Sequence, residues 1–230
     1  MPVTIAIPVY NEEEIIEKNT KSLIDFLNKN NVTYEIIICD NGSTDRTVEL
    51  GRKSEKKYKN VKFFSIYKKG AVGWAFRKCV MNAKYNKIIS VDMDLSVELE
   101  FIPQCERLLD RYNLVVGSKI MGNQKRSFLR TFASMSFILL ARAVLGIRSS
   151  DYSMAAKGYR KNDIYKYLLM INKGSAYVMQ LIYFIEKGKK KIIQIPVMCD
   201  DRRKSRFNFV EEIIYRFREL ILFRIRALLK

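Results

Sequence analysis

The sequence predicts an α/β protein built on an open, mostly parallel sheet, and three observations carry that prediction. Short apolar runs rich in β-branched residues alternate four times with amphipathic segments before residue 93. The connections between them are short. The polar loops that follow the apolar runs carry carboxylates and amides, as ligand loops at the carboxyl ends of parallel strands do.

The elements follow in order. "VTIAIPVY" reads as a first strand. "NEEEIIEKNTKSLIDFLNKNN" reads as a helix, with Ile15, Ile16, Leu23 and Leu27 at helical spacing and Glu12 to Glu14 in its first turn, where the helix dipole favours acids. "YEIIICD" is a second strand. A helix begins in "STDRTVELGRKSEKK", with Ser43, Thr44 and Asp45 as N-cap candidates. "VKFFSIY" is a third strand, "GAVGWAFRKCVMNAKY" a glycine loop running into a helix, and "KIISVD" a fourth strand.

The second half is less regular. "YNLVVGSKI" reads as a strand and "KRSFLRTFASMSFILLARAVLGIR" as a long helix. "DYSMAAKGYRKNDIYKYLLM" reads as a strand then a helix, "SAYVMQLIYFIEKG" as a helix and "KKIIQIPVMC" as a strand. "DDRRKSRFN" is a basic loop, and "FVEEIIYRFRELILFRIRALLK" a terminal helix with Val210, Ile213, Ile214, Phe217, Leu220 and Ile221 in one apolar stripe.

Composition narrows the chemistry. The 230 residues are 48% hydrophobic, enough for one compact domain with a real core. The formal net charge is +18, which implies an anionic partner. There is no histidine, which excludes Ser-His and Cys-His catalysis and His-ligated zinc. Cys39, Cys79, Cys105 and Cys199 form no C-x-x-C pair, so neither a zinc site nor a disulfide framework is expected. The first strand begins almost at the first residue and no run of about 18 apolar residues occurs, so neither a signal peptide nor a transmembrane helix is expected. The expected location is the cytoplasm, or a cytoplasmic membrane surface.

The stretch "KIISVDMDLSVE" poses the functional question: a buried strand ends in Asp92 and Asp94. One reading is a solvated turn. The other is a cation site that holds something anionic, because hard oxygen ligands suit Mg²⁺ or Mn²⁺.

Together "IAIPVYNEEE", "CDNGSTDRT", "VDMDLS" and "VVGSK", in that order, resemble a family 2 glycosyltransferase of GT-A fold. "SDYSMAAKGYRK" and "DDRRKSRFN" resemble the dolichol-phosphate mannosyltransferase branch, which moves a sugar from a nucleotide onto a polyprenyl phosphate. The resemblance implies a GT-A domain over 1–208, with a nucleotide-sugar half at 1–120 and an acceptor half at 121–208. An amphipathic helix over 209–230 follows. It implies that Pro8, Tyr10 and Glu12, with Asp40 and Asn41, hold the nucleoside. Asp92, Met93 and Asp94 would line the donor site, with Asp92 and Asp94 as metal ligands. The branch places a Gln two residues beyond the second Asp; this chain has Ser96 there, and Ser96 stands as the third ligand candidate. Lys119 replaces an Arg of the branch, and Arg206 replaces a Lys in the basic loop that would close Arg202, Arg203 and Arg206 over phosphates. The glycine loop would line the donor site, or simply begin a helix.

Asp151 occupies the place of the general base in relatives that glycosylate a hydroxyl. The Glu-Asp and Q-x-x-R-W patterns of those enzymes are missing. A phosphate acceptor is already ionised near neutral pH and needs no base, which makes Asp151 a positioning group.

The expected function is therefore metal-dependent, inverting transfer from a nucleotide-sugar to dolichyl or polyprenyl phosphate. GDP-mannose is the default donor and a UDP-sugar the alternative. Arg-rich and Lys-rich stretches (Lys119, Lys125, Arg126, Arg130, Arg142 and Arg148, then Arg216, Arg218, Arg224, Arg226 and Lys230) point to an anionic membrane surface. Packing of both helices on the sheet is the other reading, and a membrane-protein partner stays open. Rival readings are a transferase acting on a hydroxyl, with Asp151 as base, and a nucleic-acid-binding protein. The second leaves the acidic pair at the ligand edge unexplained, so no nucleic acid is expected. A nucleotidyltransferase would want a basic glycine loop after the first strand, where this chain is acidic.

Overall fold

The computed structural model describes residues 1–119, 121, 128–149, 151–152, 154–199 and 209–228. Its centre is one seven-stranded sheet in the order β3-β2-β1-β4-β6-β5-β7. The strands are β1 (Val3–Val9), β2 (Tyr34–Asp40), β3 (Val61–Ser65), β4 (Lys87–Ser90), β5 (Leu114–Ser118), β6 (Lys157–Arg160) and β7 (Ile192–Pro196). β1 lies parallel to both β2 and β4, and β2 parallel to β3. β6 runs antiparallel between β4 and β5, and β7 is parallel to β5. All strands but β6 therefore end at one edge.

β1 and β2 are buried along nearly their whole length, which is why both read as continuous apolar runs. The strand order reverses at β1, whose two neighbours are β2 and β4. A crevice opens outside the carboxyl ends of strands at such a point, so the fold itself places the loops after β1, β2 and β4 around one opening.

Two helical layers cover the sheet. One holds α1 (Ile16–Lys29), α2 (Thr47–Lys57) and α4 (Phe101–Leu108), packed through Leu23, Leu27, Leu50, Phe101 and Ile102. The other holds α3 (Val72–Asn82), α5 (Phe128–Leu145), α6 (Lys161–Ile164), α7 (Tyr177–Lys187) and α8 (Phe209–Leu228), with a 3-10 turn at Tyr165–Tyr167. α8 packs on α5, where the rings of Phe137 and Phe217 meet edge to face at 5.5 Å. It also buries Leu220 and Phe223 in the core. The terminal helix is thus both packed and amphipathic.

α1 begins at Ile16 rather than at the acidic run, because the Glu12 carbonyl takes the N–H groups of Ile15 and Ile16 in a turn. α4 is an element the sequence reading omits. Pro103 sits in its first turn, where a missing N–H costs nothing.

Candidate active site

The loops at the carboxyl edge are tied to one another by side chains. Asp40, fully buried, accepts hydrogen bonds from the Gly42 and Ser43 N–H groups at 3.1 and 2.9 Å and from Ser65 Oγ at 2.7 Å. The amide of Asn41 donates to the Val9 carbonyl at 2.8 Å. Both residues lie beneath the opening as supports of the loop, so contact of either with a nucleoside is a proposal that requires movement. Asn11 N donates to Ser43 Oγ, and Thr44 N donates to Asn11 Oδ1, each at 2.8 Å. Asp45 Oδ1 takes the Thr47 N–H at 2.9 Å in a local turn, but the N-cap position of α2 is Arg46 and carries no side-chain cap, against the expectation from this stretch. Glu13 accepts from Arg46 N at 3.1 Å. The "NEEE" acids therefore join two helix N-termini. Pro8, Tyr10 and Glu12 keep partly open faces at the mouth.

Residues with positive φ gather at this edge. Asn11, Gly42, Tyr67, Gly70 and Leu95 follow β1, β2, β3, β3 and β4 respectively. Left-handed backbone at non-glycine residues costs free energy, and such residues concentrate at ligand sites. At Gly42 (φ +93°) a Cβ would also lie 2.4 Å from the Lys69 backbone nitrogen, so only glycine lets the β2 and β3 loops meet. Gly73 serves packing. Its N–H donates to the Lys173 carbonyl at 2.7 Å, and a Cβ there would stand 2.2 Å from the Asn172 oxygen.

Asp92 and Asp94 stand at the centre. Met93 between them is buried in the core, and its carbonyl takes the Asn19 amide at 2.9 Å. Anchoring Met93 leaves Asp92 exposed and Asp94 half-exposed toward the opening. Leu95 has φ +51°, and Asp94 Oδ1 accepts the Ser96 N–H at 3.0 Å, a tight turn that fixes the second carboxylate. The Asp92 carboxyl is pushed up to about 6, first by desolvation and then by the Asp94 charge. Solvent reaches it, yet protein surrounds it on its other sides; it is the floor of a cleft. The Ala155 N–H and the charges of Lys157 and Lys119 oppose the rise.

This arrangement fits a divalent cation. Two carboxylates two residues apart face one opening, and their mutual repulsion is what a cation between them would relieve. Among the described residues no group of three or more His, Cys, Asp or Glu forms a metal cluster. The remaining ligands would have to come from a diphosphate, water or a hydroxyl such as that of Ser96.

The structure adds a residue that sequence reasoning missed. Lys157 has no solvent exposure. Its register partner on β4 is Ser90, two residues before Asp92. Its Nζ donates to the Met154 carbonyl at 3.1 Å and lies 3.9 Å from Asp151 Oδ1. Burial holds its pKa below the ordinary lysine value, while Asp151 and then Asp92 pull it back up. Asp151 is only 1% exposed, and its Oδ1 accepts the Met154 N–H at 3.2 Å. Glu186 fixes the loop before it, accepting from Arg148 N at 2.8 Å and Ser149 Oγ at 2.8 Å. A lysine followed by "GY" inside a strand-like run was the available signal.

Lys119 follows β5 and is buried within electrostatic reach of Asp92. Cys199 pairs with Val97, three residues beyond Asp94, so the chain after β7 arrives beside the acidic turn. Arg202, Arg203 and Arg206 lie outside the described residues, as do Lys125, Arg126 and Lys230.

The mostly parallel seven-stranded sheet, covered by helices on both faces and reversing its strand order at β1, is a GT-A fold. The profile described as "Glycosyl transferase family 2" matches residues 4–168. The chain belongs to that family.

Among curated proteins it is similar to the undecaprenyl-phosphate 4-deoxy-4-formamido-L-arabinose transferase of Edwardsiella ictaluri. That match is 27% identical over 201 residues and covers 87% of this chain and 60% of that protein. The enzyme of the same name from Pectobacterium atrosepticum is 28% identical over 218 residues, covering 92% and 64%. A dolichyl-phosphate beta-glucosyltransferase of Trichomonas vaginalis is 24% identical over 223 residues, covering 89% and 67%. The chain thus spans 60 to 64% of the length of the first two relatives. Among solved structures, glucosyl-3-phosphoglycerate synthase from Mycobacterium tuberculosis, in complex with Mn²⁺, uridine diphosphate and glucosyl-3-phosphoglycerate, superposes with a TM-score of 0.70. It is 17% identical and covers 96% of this chain and 79% of that one. At that identity the likeness concerns the fold.

Proposed function

We propose that this protein transfers a sugar from a nucleotide diphosphate-sugar to a membrane-borne polyprenyl phosphate. The observation that carries the reading is the pair Asp92 and Asp94, held open to the crevice by buried Met93 with Lys119 and Lys157 behind it. Two acids at an anion-binding edge make sense when a cation bridges them to phosphates. A divalent ion, Mg²⁺ or Mn²⁺, would supply Lewis-acid stabilisation of the leaving diphosphate; Asp92 and Asp94 would hold it, with the Ser96 hydroxyl as the third candidate ligand. The synthase structure holding Mn²⁺ together with uridine diphosphate supports this assignment.

The chain's own residues orient and neutralise. Tyr10 and Glu12 at the mouth, with Pro8 beside them, would hold the nucleoside, a ring face and an acceptor for base and ribose. Asn41 and Asp40 keep that loop in place. Lys119 supplies fixed positive charge beside Asp92. Arg202 and Arg206 would meet the phosphates from a chain that leaves β7 beside Val97.

The acceptor class rests on Asp151. A general base must reach the proton it removes. Asp151 is enclosed, faces Lys157 at 3.9 Å and takes a backbone N–H. Those contacts favour a positioning role and a nucleophile that needs no deprotonation, a phosphate oxygen. The names of the curated relatives, undecaprenyl-phosphate and dolichyl-phosphate transferases, support the same class. Those names carry an arabinose derivative and glucose rather than mannose, and the synthase holds uridine diphosphate, which together favour a UDP-sugar over GDP-mannose as donor. Attack by the acceptor oxygen opposite the leaving diphosphate would invert the anomeric centre.

The place of work would be the cytoplasmic face of a membrane, with α5 and α8 against anionic headgroups. No helix among the described residues is long and apolar enough to cross a membrane. Residues 1–120 would serve as the donor half, 121–208 as the acceptor half and 209–230 as the surface helix.

The test is a panel of nucleotide-sugars with Mn²⁺, read by thermal shift and by transfer to polyprenyl phosphate, beside hydroxyl acceptors. Asp151→Asn should retain activity on the phosphate, while Arg202→Ala should lose it. A dead Asp151→Asn beside a healthy Arg202→Ala, or transfer only to hydroxyls, overturns the phosphate assignment.

A further inference from the structure

Exposed apolar side chains are distributed unevenly over the molecule. Among the described residues, α1, α2 and α4 expose no large hydrophobic side chain. On the opposite layer α5 exposes Met135 and Leu139, and α8 exposes Ile214, Ile221, Leu222 and Ile225. The same layer carries a third apolar element that is not part of either amphipathic helix. Leu169 is 78% exposed, and Tyr165 and Met170 beside it are also exposed.

This segment is rigidly attached to the layer. Ile164, Leu168 and Ile171 point inward into the same core cluster as α5, α7 and α8. The Tyr167 ring stacks on Phe184 of α7 at 4.5 Å, and Phe184 meets Phe223 of α8 at 5.6 Å. Farther along, Asn172 donates to Glu219 at 2.7 Å and accepts from Tyr215 Oη at 2.6 Å, both on α8. The inward residues are fixed, so the outward pair Leu169 and Met170 is presented beside α8 rather than left to collapse.

Charge identifies the occupant. Lys166 and Lys173, both exposed, bracket Leu169 and Met170, and Arg218 and Arg226 are exposed on α8. Of the described acids of this layer, Glu219 lies against Asn172, Glu186 against the 148–149 loop and Asp163 against Lys190 at 2.9 Å, while Glu211 stands exposed near the start of α8. Apolar tips ringed by lysine and arginine match the boundary between acyl chains and anionic headgroups.

We propose that Leu169 and Met170 form a third membrane contact, beside α5 and α8, so that the protein rests on an anionic lipid surface through α5, α8 and the 165–170 turn together. The inference rests on the reading that the acceptor is membrane-borne, but the contact itself requires no acceptor.

The experiment is flotation of the full chain with phosphatidylglycerol–phosphatidylcholine vesicles containing no polyprenyl phosphate. Two doubles are compared: Leu169→Asp with Met170→Asp, and Lys21→Gln with Lys29→Gln on exposed positions of α1. Both change the net charge by the same amount on opposite layers. The first should lower vesicle partitioning roughly ten-fold or more, since losing the insertion of one large apolar side chain already exceeds about 1.4 kcal/mol, a factor of ten. The second should change it only slightly. An uncharged double, Leu169→Asn with Met170→Asn, should still lower partitioning. All variants should keep the thermal shift given by nucleotide and Mn²⁺, which reports folding and the donor site separately. Unchanged partitioning of both 169/170 variants, or an equal loss from the α1 pair, overturns the proposal. So does a wild-type dimer in solution without lipid that the 169/170 change dissolves, because a second copy would then be the occupant. Transfer activity failing while vesicle binding persists would count against the proposed reaction and leave the contact standing.

Discussion

The two helical layers sit on the same sheet and solve different problems. The α1, α2, α4 layer buries Leu23, Leu27, Leu50 and Ile102 and turns a polar, charged face outward. The α3, α5, α7, α8 layer buries as much and still leaves isoleucine, leucine and methionine outside. A face that is finished on both sides belongs to solvent. A face that is apolar on both sides is, under the proposed contact, the one that would meet a second apolar phase. The contrast separates two demands on one fold: stability, which either layer could supply, and location, which under the proposed membrane contact only one would supply. The crevice lies at the edge between them.

The largest expected effect is at that edge. Asp94→Ala should lower transfer by several orders of magnitude with the fold intact, since its carboxylate is half-exposed and, under the proposed metal assignment, would contribute several kcal/mol of charge stabilisation. Activity unchanged in excess chelator would end the metal assignment.

Next comes Lys157→Met, which leaves Asp151 buried opposite an apolar group. Loss of one partner of a buried pair costs about 3–5 kcal/mol, measured by denaturant unfolding. The double Lys157→Met with Asp151→Asn should recover a large part of it. A single variant as stable as wild type would remove Lys157 from the support of the site.

A matched pair tests the layers directly. Leu27→Ala in α1 and Leu220→Ala in α8 both empty fully buried positions and should each cost about 2–5 kcal/mol. If Leu220→Ala costs under about 1 kcal/mol, α8 is a surface helix only and the second layer is thinner than the first. By the same logic, deletion of 209–230 should expose Phe137 and reduce solubility as well as vesicle binding.

The smallest effect carries the opposite sign. Asp92 is held near 6, above the usual aspartate value of about 3.9, so the native state binds its proton more tightly than the unfolded chain does. Its contribution to stability therefore falls as pH rises from about 4 to about 6 and stays low above that. Asp92→Asn should stabilise the metal-free protein at pH 7 by about 1 kcal/mol after allowance for solvent screening, a Tm gain of a few degrees, and by almost nothing near pH 4. Mn²⁺ should raise the Tm of the wild type and not that of the variant.

The sequence by itself determined the alternation of strands and helices, because periodicity is local. The strands in "VTIAIPVY" and "YEIIICD" are where the pattern puts them. It also displayed the Asp92 and Asp94 pair, since two acids after a greasy strand are conspicuous in one dimension. Tertiary structure decided what depended on pairing between distant segments. The antiparallel insertion of β6 puts Lys157 opposite Ser90, and no local signal records that register. It buried Asp40 and Asn41 against Ser65 and Val9, because those partners belong to other strands. It also chose which apolar residues stay outside. A hydrophobic stripe is the same in sequence whether it meets a sheet or a membrane, and only the packed core shows which side of each helix, and of the 165–170 turn, is left over.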